Sequence, residues 1–564
     1  MRLRRLLLGI SLVWSAVASA ETPPVVVTPV RALHGMVVAG HPQAAEAGLA
    51  VLKAGGNAID AAVATSLALG VAEPYGSGLG GKLMLLYYNS ATKTTTVIDA
   101  MDAAGSLNVA AYLKRPEADR SSGYGAACVP GLPAGLWTAH QKWGARPWAK
   151  DVQPAIDLAR TGFRVLPKTR DFFEEQVKKL SHGDAELTRL YLPSGKLPEA
   201  GSMFPNPDLA RTLMLFAKHG RDGFYRGEIG GAIVGAVRAG RGTITAEDLA
   251  RYEPRIVEPI EITFHGFQIA CAPPPATGAA MFLPALMALE DQKFNGGPLR
   301  TAANLDLLGR VWRVIEPEVY RTIGDAEGSR FAFEKLLGPD AIRALREKAA
   351  IPAEEKRDVA ARDEPFYESA LAATTHFIVV DSHGNIVCAT QSLSVHFGAG
   401  VVPPGTGVVL NNSMSNFEYH DSAHPDYVAP GRRPRSTLSP TLVFQGGRPV
   451  LAIGVPGAAR IPTAMLQVLL DRLVLNRPLA DAIGDTRFHL SIPWKAGEVA
   501  AVEAEDSLSS TEADELRRLG WKVIPGEAAG RGRKFGGVNA VEFNADGTLT
   551  GFPDPRRTNA AVGY

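Results

Sequence analysis

From Ala353 to Ala370 the chain is rich in Glu, Arg and Asp and has little apolar periodicity. Such a stretch cannot bury enough apolar surface to fix its own conformation, so it is predicted to be an exposed, mobile linker. It separates regions of different character. Pro130 to Leu289 is predicted to be mostly helical, with Pro and Gly breaks, whereas the residues after the linker alternate or run apolar as strands do. Any fold for this chain must join a helix-rich part to a strand-rich part across an exposed connection.

Upstream, His41 to Ala54 places Ala44, Ala45, Leu49, Val51 and Leu52 near a 3.6-residue period, and Gly55-Gly56 ends that helix. Asn57 is expected to cap a second helix, Ala58 to Leu69. Gly76-Ser77-Gly78-Leu79-Gly80-Gly81 has the spacing of a dinucleotide-binding loop, but it follows a helix and precedes an apolar strand, Leu83 to Tyr88. That fingerprint must follow a strand and open a helix, so neither nicotinamide nor flavin is expected. Thr243 to Leu249 carries a capping box. Downstream, Thr374 to Val380 and Ile386 to Thr390 are predicted to pair about the turn Ser382-His383-Gly384-Asn385. A second hairpin joins Thr441 to Phe444 with Val450 to Val455, and Ile461 to Leu475 reads as a helix with Pro462 in its first turn. Gly537 to Phe543 and Leu549 to Phe552 flank a last turn.

The length, 564 residues, exceeds one typical domain. Lys plus Arg, 59, balances Asp plus Glu, 58, which supplies no field to draw the chain onto nucleic acid. Met1 to Ala20 joins Arg2, Arg4 and Arg5 to the apolar run Leu6 to Val17 and then Ala18-Ser19-Ala20, the form of a secretory signal cut after Ala20. A membrane anchor is the competing reading, but the run is shorter than the about 20 residues a spanning helix needs. The mature protein is therefore expected to be periplasmic or secreted, without a membrane span. Cys128, Cys271 and Cys388 are odd in number and far apart, which suits small buried apolar residues better than a disulfide framework, although one bridge stays open.

No metal-site spacing of Cys and His, no Gly-x-Ser-x-Gly and no phosphate-binding loop occurs, so no metal or cofactor is expected. His383, His396, His420 and His424 stand alone in turns or loops and read as solvated or structural. Taken locally, Thr374-Thr375 at the head of a strand is β-branched filler. The wider context changes that reading. Ala39-Gly40-His41-Pro42, Gly55-Gly56-Asn57-Ala58-Ile59-Asp60, Glu73-Pro74, Val129-Pro130-Gly131 and Phe224-Tyr225-Arg226-Gly227 precede the linker. Thr374-Thr375-His376, Pro404-Gly405-Thr406-Gly407, Leu410-Asn411-Asn412, Arg433-Pro434, Ser439-Pro440-Thr441 and Asp554-Pro555-Arg556 follow it. With these motifs in this order, the chain from about Gly35 to Tyr564 resembles the γ-glutamyltranspeptidases, a family of N-terminal-nucleophile hydrolases.

The resemblance implies an α+β fold, a four-layer αββα sandwich assembled from two chains after self-cleavage. The cut would fall between Ala373 and Thr374, leaving a large subunit, 21–373, and a small catalytic subunit, 374–564. Thr374 would be the nucleophile, its freed α-amine (ordinary pKa near 8) taking the hydroxyl proton. Ser392 is implied as a second hydroxyl beside that amine. Gly457 and Ala458 are implied as an oxyanion loop, between a strand and a helix N-terminus where backbone N–H groups face a developing anion. Ser436 and Thr437 match a pair that holds a donor carboxylate. The departures concern the acyl pocket. Met101 stands where the family has an arginine for the donor α-carboxylate, and Asn416 where it has an acid for the α-ammonium. Ser394 replaces an Asn and Ser413 a Gln or Glu. Two charge-assisted bonds, worth roughly 1.5–3 kcal/mol each, are lost with Met101 and Asn416. Arg435 is either a relocated carboxylate partner or an ordinary exposed arginine, and 417–435 is short for a lid, which suggests an open site.

The expected activity is hydrolysis or transfer of a γ-glutamyl or related acyl group from an amide donor to water or an amine or peptide acceptor. An acylase for acyl groups without the amino-acid zwitterion is the alternative, and a catalytically silent periplasmic binding protein is a third reading.

Overall fold

The computed structural model describes residues 25–292, 294, 299–352, 372–492, 498–506, 508–524, 526 and 532–564. The expected signal segment and the charged linker lie outside the described residues.

Two seven-stranded antiparallel sheets organise the chain. One runs, edge to edge, Ala560–Gly563, Met36–Ala39, Ala372–Val380, Ile386–Val395, Lys82–Asn89, Thr94–Ala100 and Arg255–Val257. The other runs Val30–Ala32, Leu549–Pro553, Asn539–Phe543, Arg448–Gly454, Thr441–Gln445, Phe267–Cys271 and Ile260–Phe264. Each sheet therefore takes strands from both sides of Thr374, and neither is complete without both.

The strands at the centre read as continuous apolar runs because both of their faces are covered. Ile378, Val380, Ile386, Cys388, Met84 and Leu86 of the first sheet share one buried apolar cluster with Leu442, Ala452 and Val541 of the second. On its other face the first sheet, through Val37, Phe377, Val379, Val387 and Leu85, meets the helices of the N-terminal half. The second sheet presents Ile269, Val443, Leu451 and Ile453 to the helices Gly278–Ala288, Ala302–Thr322 and Arg460–Leu469. The helix Ala58–Ala72 is apolar all round, and every residue of it except Gly70 is buried. Asn57 caps it in a box closed by Asp60, while His41 caps the helix Pro42–Lys53 through Nδ1, which accepts from Gln43 N.

The expectation of a mostly helical middle needs correction at its end. Arg255–Val257, Ile260–Phe264 and Phe267–Cys271 are strands, and they supply edges to both sheets. They are short, and Pro254, Pro259 and the turn at Gly266 break up their alternation. The helix expected over Ile461 to Leu475 is regular only over Arg460–Leu469 and finishes in a π turn, Leu470–Val474. Cys128, Cys271 and Cys388 are buried and free.

Burial of two histidines makes the fold acid-sensitive. Burial lowers His41 to about 4 and His376 to about 3. Both are neutral when folded but protonate near 6.5 when unfolded, so the unfolded chain binds more protons below that pH. Their contribution is complete above about pH 6.5 and is lost as pH falls toward the folded values. We expect these two groups to cost about 5 kcal/mol of stability between pH 7 and pH 4.5. Denaturant midpoints measured across that interval would show it, and a flat profile would remove this reading of both sites.

Candidate active site

The strands Ala372–Val380 and Ile386–Val395 pair with Ala373 opposite Ser394 and Thr375 opposite Gln391, and the register shifts between them. This irregularity lifts Thr374 out of the ladder, as a bulge does when it re-aims a side chain. Its Oγ1 lies 3.0 Å from Ser392 Oγ and donates to its own preceding carbonyl, Ala373 O, at 2.6 Å. Ser392 also donates to Ala373 O. Ser392 Oγ accepts in turn from Ser394 N at 2.9 Å, which leaves the Ser392 proton free for that carbonyl. Two hydroxyls thus converge on one peptide oxygen, and both residues are buried. On the other side of Thr374, Arg557 Nη1 donates to Thr374 O at 3.0 Å.

The glycine run before the strand Lys82–Asn89 exists for close approach. A Cβ on Gly81 would sit 2.3 Å from Ser392 O, and one on Gly80 2.0 Å from Val409 O. Glu73 is buried nearby, accepting from Tyr75 Oη and Thr558 Oγ1, each at 3.1 Å. Burial pushes its carboxyl up, against the opposing influence of Thr375 and Arg557.

The other candidate residues fall into two groups. Ser394, Ser413 and Asn416 come together: Ser394 Oγ lies 2.9 Å from Ser413 Oγ, and Asn416 Nδ2 is 3.5 Å from Ser394 Oγ and 3.4 Å from Arg435 O. Gly457 and Ala458 lie between the strand Arg448–Gly454 and the helix Arg460–Leu469. Their carbonyls carry internal bonds, to Arg460 N and Ile461 N, and Ala458 O also accepts from Thr437 Oγ1 at 2.9 Å. Ala458 holds φ 48, a left-handed conformation costly for alanine. Ser436 is tied by its backbone, O to Thr277 N and N to Pro275 O.

Met101 is fully buried in the apolar cluster between the sheets. Arg435 is not an exposed arginine. Its Nε lies 3.3 Å from Asp426 Oδ2, Nη1 donates to Tyr320 O at 3.1 Å, and the guanidinium faces the Tyr320 ring. The 417–435 segment is held on Ala104, Asp99, Asp325 and Tyr320, and no bond from it to Thr374 occurs among the described residues.

Sequence reading missed Lys82 and Asp102, which complete the serine cluster. Lys82 Nζ donates to Ser394 Oγ and, at 2.8 Å, to Ser413 Oγ, while Ser413 Oγ donates to Asp102 Oδ2. The only signal was a charged residue opening the otherwise apolar strand Lys82–Asn89. A cluster of Asp60, His140 and Asp151 also gathers three ligand-type side chains. It is occupied internally: Asp60 accepts from Asn57, Ala145 and Arg146 backbone N–H groups, and Asp151 from Arg146.

A buried threonine hydroxyl bonded to its own preceding carbonyl at a strand bulge lies inside sheets that take strands from both sides of it. The gamma-glutamyltranspeptidase family model matches residues 44–564, and the chain belongs to that family. It is an enzyme of the γ-glutamyltransferase and glutathione hydrolase type. The glutathione hydrolase proenzyme of Bacillus subtilis strain 168 is 31% identical, covering 94% of this chain and 91% of that protein. Acylase ACY 1 proenzyme of Pseudomonas sp. strain SE83 is 33% identical over 93% and 92%. The crystal structure of a cephalosporin acylase from Bacillus halodurans superposes with a TM-score of 0.83 at 26% identity, covering 98% of this chain and 99% of that one.

Proposed function

We propose that Thr374 cuts the chain before itself and then serves as the acyl-accepting nucleophile of a γ-glutamyl-type amidase. The observation that carries this reading is the convergence of the Thr374 and Ser392 hydroxyls on Ala373 O. Attack of Thr374 Oγ1 on the Ala373 carbonyl carbon would transfer the acyl group from nitrogen to oxygen. Ser392 supports the charge growing on the carbonyl oxygen, and water then releases the Ala373 carboxylate and the Thr374 amine. In turnover that amine accepts the Thr374 hydroxyl proton, an amide donor forms the acyl ester and expels its amine, and water or an amine or peptide takes the acyl group. Gly457 and Ala458 supply backbone N–H groups to the second oxyanion, and Ser436 and Thr437 help hold the donor.

Four layers, helix, sheet, sheet, helix, in the N-terminal-nucleophile arrangement are the architecture this implies, with 21–373 and 374–564 remaining folded together after the cut. The apolar cluster shared by the two sheets supports it. A periplasmic or secreted location follows from the Met1 to Ala20 signal reading, and no described helix is long and apolar enough to cross a membrane.

A second reading, acyl groups without the amino-acid zwitterion, draws on Met101 in the apolar cluster and on the uncharged Asn416 amide. It is not the better supported of the two.

Ser392→Ala removes one donor from Ala373 O and is expected to slow self-cleavage by roughly 10²–10³-fold, the worth of a lost oxyanion donor. Precursor decay on a denaturing gel measures it. Decay at the wild-type rate would take Ser392 out of the mechanism.

A further inference from the structure

Lys82 is a buried cation that the cutting reaction does not use, and it stands beside the reacting residues. It pairs with Ser392 across the strands Lys82–Asn89 and Ile386–Val395, and directly opposed residues of an antiparallel pair share a face of the sheet. Its neighbour Ser394 pairs with Ala373 on the next strand, and Ser394 N holds Ser392 Oγ. From Lys82 the connection to the cut bond thus runs through one residue.

The ammonium has three hydrogens and places two, on Ser394 Oγ and Ser413 Oγ. Its counter-ion, Asp102, is 3.7 Å away, outside hydrogen-bond distance, and is reached through Ser413. An exposure of only 1% for the lysine side chain and 0% for the carboxylate makes such a separation costly as a purely structural pair, because buried ions repay desolvation only when their geometry is close and complete. Of the four residues, Ser394 alone is only partly buried. It sits at φ 78, a strained conformation for a residue with a side chain. With Lys82 and Asn416 both donating to its oxygen, its own proton is directed either at Ser413 or outward.

We propose that Lys82 is the specificity-determining cation of the acyl pocket, receiving through Ser394 and Ser413 a free carboxylate carried by the acyl group of the donor. This rests on Thr374 being the nucleophile. The position matters because Met101, in the apolar cluster, offers no charge, and Arg435 is engaged with Asp426 and Tyr320. A charge absent just after the strand Thr94–Ala100 is thereby present at the start of Lys82–Asn89, the strand paired with it. Burial pulls the Lys82 pKa down, and the Asp102 carboxylate opposes that shift and favours the charged lysine.

The test is the ratio of kcat/KM for glutaryl p-nitroanilide to that for butyryl p-nitroanilide, which differ by the terminal carboxylate. In the wild-type enzyme the ratio is expected to exceed about 10, and in Lys82→Met to fall by about 10- to 150-fold, the range of one charge-assisted bond. Lys82→Arg should recover part of it. A wild-type ratio near one overturns the proposal without any variant, so a misfolded Lys82→Met cannot shield it. An equal ratio in wild type and Lys82→Met also overturns it, as would loss confined to kcat for both donors, the mark of a merely structural lysine. Cleavage before Thr374, read by mass spectrometry of the same samples, separates the two ideas. A cut enzyme indifferent to the carboxylate fails only the Lys82 assignment, whereas an uncut chain that turns over either donor fails the Thr374 reading beneath it.

Discussion

Thr374→Ala is expected to yield a full-length chain with no measurable turnover, because in the proposed mechanism one hydroxyl both cuts the chain and accepts the acyl moiety. The effect should be all-or-none on a denaturing gel. In the structure the hydroxyl lost is the one bonded to Ala373 O, and Ser392, which also reaches that oxygen, has no route to becoming an N-terminal residue. Thr374→Ser keeps the oxygen and loses only a methyl group, so it should cut at least in part, and the new N-terminus should read Ser-Thr-His. The proposed mechanism makes the free α-amine the base, so an enzyme that stayed uncut and fully active would defeat it.

Asp554→Ala is expected to cost 3–5 kcal/mol of folding stability and to impair self-cleavage with it, the range for removing one partner of a buried ion pair. Asp554 is fully buried between Arg487 and Arg556 and also accepts from Val538 N and Arg556 N, at 3.0 and 2.9 Å. Burial alone would raise its carboxyl, but Arg487 and Arg556 outweigh this and hold it below the usual range. Removing it takes from the buried Arg487 its ion-pair partner and leaves Glu505 as the remaining negative charge acting on it. The same turn delivers Arg557 to Thr374 O, so lost packing here is lost orientation at the cut bond. Denaturant titration in the Thr374→Ala background keeps unfolding to a single chain, and a loss below about 1 kcal/mol would show that other groups hold Arg487.

The parts of the fold legible in the sequence were those written in short-range pattern. Asn57 with Asp60, and Thr245 with Asp248, announce helix starts because a cap is a local bond. The hairpin from Thr374 to Thr390 was legible because its turn and both strands are contiguous. The strands Arg255 to Cys271 were not: each is brief, and although Ile260–Phe264 pairs locally with Phe267–Cys271, the contacts that place them in the sheets are distant, Thr94–Ala100 for one and Thr441–Gln445 for another. Within the site, Thr374 and Ser392 were found through family resemblance, and the structure sets their oxygens 3.0 Å apart. Lys82 escaped because a cluster drawn from two strands, a short helical turn and a loop has no spacing of its own in the sequence. Met101 and Asn416 drew attention as missing charges, but a missing charge says nothing of where another has been placed.

The two sheets that draw strands from either side of Thr374 change what unfolding would mean after the cut. Before it, a chain that unfolds can return by a unimolecular search. Afterwards the same return requires two polypeptides to meet, each carrying half of both sheets with unpaired strand edges exposed. Loss of the native state would then become second order to reverse, dependent on concentration and open to competing aggregation. The durability of the mature enzyme should accordingly be a matter of how slowly it opens, fixed once, during the single time each molecule folds intact.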